Sequence, residues 1–395
     1  MKRIALVMIS LAYISASAQD NYSVAKESSS FAYSIFQQMA VEKGENENIF
    51  FSPYSITMAM GMTYAGANNA TKQEMATVLH FPIDDSNLHK QLGDSQKSIL
   101  FSGSKGVQIS IANQLWADKK YKFSCKYLRG VKKAYGAPVK LLDFREKPEE
   151  QRLAINNWVE KQTQSRIKNL LPGGSITDLT AMVLTNAIYF KGQWDEKFLT
   201  ENTNTATFFP SKKEKMECSM MNRRGKYNLA KGEGFSMIEI PYAGKDFSML
   251  VILPDEDSAI QKFENSLSVE KIASLSTHYE EVEVNLSLPR FKFETQFELK
   301  PTFTAMGMPL AFSNLADFTR MSSKPDLKID EVYHKAFVEV SEEGTEAAAA
   351  TAVVIVRKSM PAYFEFNVNR PFLFLIRHNS SGIILFMGRV TKPTF

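Results

Sequence analysis

Ten consecutive residues, "AMVLTNAIYF" (Ala181 to Phe190), carry no charge and run apolar on both parities. A strand that meets water on one side alternates, so an unbroken apolar run of this length reads as a strand buried on both faces. "FSMLVILP" (247–254) repeats the signal. The chain must therefore supply cover for both sides of at least one sheet. Helical patterns provide it early. In "SSSFAYSIFQQMAVEKG", Phe31, Ile35 and Met39 fall four apart beside Ala32, Phe36 and Ala40, and Gly44 ends the face. "SPYSITMAMGMTYAGA" has Ser52 as a cap, Pro53 in the first turn and an apolar surface all round, which predicts a buried helix. Its methionines are core filler. "EVEVNLSLPRFKFE" alternates as a strand, and "FLFLIRHNSSGIILFMG" predicts a hairpin. Helices early and strands late give an α+β class.

With 395 residues the chain exceeds the usual size of one core, yet no Pro/Gly/Ser linker or internal repeat divides it. We read one large mixed domain, residues 19–395. Residues 1–18 read as a secretory signal: basic "MKR", apolar "IALVMISLAYIS", then "ASA" at Ala16–Ala18, with Gln19 starting the mature chain. Losing Lys2 and Arg3 lowers the formal charge from +4 to +2. That is no nucleic-acid signature, and no further segment is long and apolar enough to span a membrane. Secretion is the expectation. Asn21, Asn69, Asn285 and Asn379 open four glycosylation sequons. Asn69 and Asn379 sit in turn-like sequence and read as exposed, whereas Asn285 lies in the alternating strand and depends on its face. Cys125 and Cys218 leave one disulfide open. Two cysteines and five histidines make no metal-site spacing, and no metal or cofactor is expected.

No nucleophile elbow, zinc helix, phosphate loop or dinucleotide fingerprint occurs, so nothing local favours an enzyme. "KKYKFSCKYLRGVKKAYG" (119–136) clusters bases of the kind a heparin-like polyanion binds, but a solvated helix face is the preferred reading.

One stretch near the C-terminus resists a single assignment: "EEGTEAAAATAVVIVRKSMP", Glu342 to Pro361. As a strand, Thr345, Ala347, Ala349, Thr351, Val353 and Ile355 share one uncharged face, and Glu346 points the other way. Alanine is also a good helix former, so an exposed loop or surface helix is equally open on composition. Arg357-Lys358-Ser359 follows as an exposed dibasic cut site.

Four segments bring a resemblance to bear. "NIFFSPYSI" (48–56), "LTNAIYFKGQWDEKF" (184–198), "VYHKAFVEVSEEGTEAAAATA" (332–352) and "FNVNRPFLFLI" (366–376) are, in order and spacing, similar to serpins, and the likeness runs from Ser23 to Thr394. It implies three β-sheets, about nine helices and an exposed reactive-centre loop spanning residues 342–365 or so. It also implies roles. Ser52, Ser55, Asn186 and His334 match the shutter, where the central sheet parts. Trp194 matches the breach at the loop's entry point, and Arg290 and Glu342 match a salt bridge there. Gly344, Thr345, Glu346, Ala347, Ala348, Ala349, Ala350 and Thr351 match the hinge of inhibitory members.

The implied action is a trap. A serine protease cuts the loop, and the freed strand enters the central sheet before the acyl-enzyme hydrolyses. The protease is distorted and the ester stranded in a covalent 1:1 complex. The small inward hinge set reads as inhibitory. In most inhibitory serpins the cut lies sixteen residues beyond the position matching Glu342; here that is Lys358, so the resemblance implies Lys358–Ser359 as the bond, with Arg357 as fallback. Either cation suits a trypsin-like protease. The alternative is a non-inhibitory serpin that carries a hormone or lipid, or acts as a chaperone. A monomer is expected.

Overall fold

The computed structural model describes residues 23–102, 106–256, 260–324, 326–345 and 363–395. The expected leader, Asn21, the expected hinge from Glu346 to Thr351 and the expected cut at Arg357–Ser359 lie outside the described residues.

Six strands form the sheet that carries the site. Its order is β10 (Phe291–Glu298), β11 (Glu331–Ser341), β12 (Gly344–Thr345), β4 (Met182–Gln193), β2 (Val107–Asp118) and β3 (Lys140–Leu142). The second sheet runs β1 (Ile49–Phe51), β15 (Ile384–Val390), β14 (Phe372–His378), β8 (Phe247–Pro254), β7 (Phe235–Pro241), β6 (Glu214–Gly232), β9 (Glu280–Pro289) and β13 (Phe364–Asn367), with β5 (Asn204–Ser211) on β6. The 19-residue β6 explains why the expected three sheets appear as two hydrogen-bonded networks. Its first part pairs with β5, its middle with β9 and its last part with β7, so one strand belongs to two sheets.

Nine α-helices appear among the described residues: α1 (Val24–Lys43), α2 (Pro53–Tyr64), α3 (Asn69–Leu79), α4 (Leu88–Ser102), α5 (Cys125–Tyr135), α6 (Pro148–Gln162), α7 (Ile260–Asn265), α8 (Val269–Ser276) and α9 (Leu299–Ala305). In α2 the Ser52 hydroxyl accepts the Ser55 N–H at 3.1 Å, Pro53 fills the first turn, and all twelve residues are buried. The run Ala181–Phe190 becomes most of β4. Leu184, Ile188 and Phe190 face the main core with α2, while Val183 and Ala187 pack on Ile155 and Val159 of α6. The two faces of one strand thus feed two apolar clusters, as the uncharged run requires.

Cys125 is exposed and Cys218 buried, both as free thiols; burial pushes the Cys218 thiol up. No helix among the described residues is long and apolar enough to cross a membrane.

Candidate functional site

The six-stranded sheet has a seam. Low down, β4 and β11 pair directly in parallel, from Glu331 opposite Val183 to Ala336 opposite Ile188. Higher up the two strands part, and β12 fills the gap. Thr345 stands opposite Val340 of β11 and Gly192 of β4; Gly344 stands opposite Ser341 and Gln193. Two residues of the hinge are therefore already strand. Gly344 makes this approach feasible. Its φ is +146°, and a Cβ there would lie 2.0 Å from the Gly192 carbonyl oxygen.

The turn between β11 and β12 is clamped by its own charges. Glu342 accepts the Thr203 hydroxyl at 2.8 Å and pairs with the Arg290 guanidinium at 3.5 Å. Glu343 pairs with Lys197. Both glutamates are buried, an unusual fate for charges that ion-pair and hydrogen-bond partners make tolerable. Trp194 holds the backbone of the same turn. Its indole donates to the Ser341 carbonyl at 2.9 Å, its main-chain N–H donates to the Glu343 carbonyl at 3.0 Å, and the Phe198 N–H donates to the Glu342 carbonyl at 3.0 Å. The indole stacks on Tyr242, with centroids 4.8 Å apart. The Tyr242 hydroxyl meets the Thr345 hydroxyl at 2.7 Å. Burial raises that phenol far above its ordinary range, so it stays neutral.

Further down the seam, where β4 and β11 pair directly, lies a second polar group. Asn113, Asn186 and His334 stand abreast across β2, β4 and β11. The Asn186 amide donates to the Ser55 hydroxyl and to Asn113 Oδ1, both at 2.7 Å, and its own Oδ1 meets His334 Nδ1. The Ser55 hydroxyl donates to Asn113 Oδ1 at 2.8 Å, and that of Ser52 to the Leu385 carbonyl at 2.6 Å. The Ser52 N–H donates to His334 Nε2 at 3.1 Å. This pattern assigns a neutral imidazole with its proton on Nδ1. Complete burial pushes its pKa down to about 3. With Nε2 occupied by a main-chain N–H and the serine hydroxyls turned to other acceptors, the group has no free base and no activated nucleophile. It is a fastener across a seam rather than a catalytic constellation.

The structure thus brings Ser52, Ser55, Asn186 and His334 into one cluster, and Trp194, Arg290, Glu342, Gly344 and Thr345 into another. Sequence reasoning missed Asn113 and Tyr242. Neither has a local signal, since each becomes informative only when strand register sets it beside its partner. The sequon asparagines separate. Asn69 is exposed at the start of α3. Asn285 directs its amide to the Glu365 carboxylate on the outer face of β9. Asn379 differs from expectation: its amide donates to the Lys245 carbonyl and the Ser248 hydroxyl, both at 2.8 Å, and its Oδ1 is buried. The hairpin tip is exposed but this side chain is folded under it. In α5, Lys126, Arg129, Lys132 and Lys133 are exposed while Tyr127, Val131 and Tyr135 are buried, an ordinary amphipathic division.

Residues 26–393 match the family model described as Serpin (serine protease inhibitor). The chain is 43% identical to human Serpin B4 over 394 residues, covering 94% of this chain and all of that protein. It is 39% identical to the leukocyte elastase inhibitor of Sus scrofa, covering 92% and 97%. Among solved structures, that of uncleaved ovalbumin superposes with a TM-score of 0.84 at 31% identity, covering 94% of this chain and 100% of that one. The chain belongs to the serpin family, as a protease inhibitor and not an enzyme.

Proposed function

We propose that the protein is a secreted, monomeric suicide inhibitor of trypsin-like serine proteases. The observation that carries this reading is β12. The sheet is parted at Gly192 and Val340, two hinge residues occupy the gap, and Thr345 is only 2% exposed. The strand that must enter has a start point, and Thr345, the first residue of the uncharged parity, points inward.

In this mechanism the protease serine Oγ attacks the Lys358 carbonyl carbon. The Lys358–Ser359 bond breaks, the Ser359 amine leaves with the proton, and an ester joins Lys358 to the protease. The freed segment then extends β12 down the seam, separating β4 from β11. Each residue added satisfies backbone groups of both neighbours in antiparallel ladders. Distortion by about 1 Å in the attached protease costs on the order of 100-fold in rate, and hydrolysis stalls. The uncleaved protein is held by a barrier and not by an equilibrium minimum. The apolar leader at residues 1–18 supports secretion, and Lys358 with Arg357 behind it supports the trypsin-like target. The reading needs no cofactor.

Incubation with trypsin tests it. An SDS-stable 1:1 complex should form, and the released C-terminal peptide should begin at Ser359, or at Lys358 if Arg357 is the acylated residue. Cleavage elsewhere overturns the bond assignment. Cleavage without a complex indicates a carrier or chaperone.

A further inference from the structure

Thr345 is held by one specific partner. Tyr242 is fully buried, stacked on Trp194 and edge-on to Phe190 at 5.0 Å, so its ring is fixed on two sides. Among the described residues its hydroxyl has a single hydrogen-bond partner, the Thr345 hydroxyl at 2.7 Å. A buried hydroxyl without a partner is costly, so the phenol favours the state in which Thr345 lies in the sheet. The contact is also selective. Residue 344 presents no side chain, and residue 346 has the opposite parity, so 345 is the hinge position whose side chain points at Tyr242.

We infer that Tyr242 is a positioning residue for the trapping reaction: its hydroxyl captures Thr345 and sets the register in which the cleaved loop enters the sheet. A slip of one residue would turn Glu346 and its parity-mates into the core and put the alanine–threonine face outside. Locking Thr345 against Val340 and Gly192 prevents that slip before cleavage, and leaves the later residues to follow in phase. The capture lowers the barrier to insertion and leaves acylation at the distant cut unaffected. It therefore acts on the partition between trapping and release. This rests on the trap reading above.

The experiment compares Tyr242→Phe, which keeps both ring contacts, with Thr345→Val, which keeps the shape and removes the other hydroxyl. Each is titrated against trypsin for the number of inhibitor molecules consumed per protease trapped, and the rate of first cleavage is followed separately. Loss of one buried hydrogen bond predicts about a tenfold slower insertion relative to deacylation. Consumption should rise several-fold in both variants, with cleavage rates unchanged. The double variant should be no worse than either single one, because the two remove the same contact. Thr345→Ser, which retains the hydroxyl, should restore most of the trapping. Additive effects, or wild-type consumption in Tyr242→Phe, overturn the assignment. Hydrogen exchange of intact protein over residues 340–345 supplies a readout that needs no protease. Protection there should drop in Tyr242→Phe and Thr345→Val, and unchanged protection overturns the clasp. If the wild type traps no protease while the exchange result holds, the trap reading fails and the clasp stands.

Discussion

Asn186 and His334 are direct cross-strand neighbours on β4 and β11, and the hydrogen bond between His334 Nδ1 and Asn186 Oδ1 crosses the seam itself. Adjacent strands lie about 4.8 Å apart, so a strand inserted between these two moves them to roughly twice that separation. The bond cannot survive the change. The same imidazole is tied through Ser52 to the start of α2, and Asn186 through Ser55 to its first turn. The fastener thus links both sides of the seam to one helix. It secures the closed sheet without opposing the two-residue opening above it.

This arrangement predicts an acid weakness. In the unfolded chain His334 takes up a proton as pH falls through its ordinary value near 6.5, whereas the folded protein resists protonation until about pH 3. Between these values the unfolded state binds more protons, so stability is lost as pH falls. The contribution is complete above 6.5 and declines by roughly 1.4 kcal/mol for each pH unit below it. Thermal melts from about pH 7 to pH 4 should show a falling Tm. His334→Gln, whatever its own stability at neutral pH, should show a distinctly shallower decline. Parallel curves for the two proteins would exclude His334 as the source.

Much of this was legible before the fold was known, because it rests on local rules. The Ser52–Pro53 start of α2 and the double-faced burial of β4 follow from cap chemistry and an uncharged run. The division of Thr345 from Glu346 by parity is likewise a property of any strand; Thr345 is buried, and Glu346 lies outside the described residues. What escaped depends on register. Asn113 sits in a strand of mixed polarity and gains meaning only opposite Asn186. Tyr242 lies in a short turn after β7 and meets Thr345 across more than a hundred residues of chain. Glu343 reads as a solvent charge until Lys197 stands beside it, and the Thr203 hydroxyl on Glu342 has no local sign either. Asn379 reads as an exposed turn residue because sequence marks the turn and not the direction of its side chain.

Gly344 offers a test of the parted seam. Its backbone lies in a region that disfavours side chains, and a methyl group would collide with the Gly192 carbonyl. Gly344→Ala should therefore expel β12 and leave the buried Tyr242 phenol unpaired. We expect faster hydrogen exchange at Val340 and Gly192, a lower Tm of the intact protein and loss of trapping, with cleavage by trypsin retained. Wild-type exchange at those two positions in the Gly344→Ala variant would contradict the observed pairing.

Thr345→Arg and Glu346→Arg differ by one residue and by one face. Arginine at 345 would have to place its charge against Tyr242 and Trp194, at a cost on the order of several kcal/mol unless the side chain escapes to water. Insertion should slow while attack at Lys358 continues, so the variant becomes a substrate: cleaved by trypsin, leaving active protease and no covalent complex. Arginine at 346 takes the opposite parity and should remain largely inhibitory. Gel analysis of the two reactions decides. Equal trapping by both would show that the face assignment does not govern insertion.

The register of β12 also fixes where a later residue must land. Thr345 stands opposite Val340 and Gly192, and an antiparallel strand advances one residue as each neighbour steps back one. Six residues beyond Thr345 is Thr351; six before Val340 is His334, and six before Gly192 is Asn186. Insertion that follows this register therefore delivers a hydroxyl into the row whose hydrogen bond it has just broken. A threonine can accept from His334 Nδ1 and donate to Asn186 Oδ1, replacing one bond with two. Thr351→Val keeps the shape and inward face but offers neither, leaving a buried donor and acceptor orphaned at a cost of about 1–3 kcal/mol. The penalty falls on the cleaved, inserted form alone. Loop-cleaved wild type should melt well above the intact protein, and Thr351→Val should reduce that gain by a few degrees, at about 1 °C for each kcal/mol in a domain of this size. The intact proteins should melt together. An unchanged gain, or an equal loss in both forms, would mean that the strand enters in a different register.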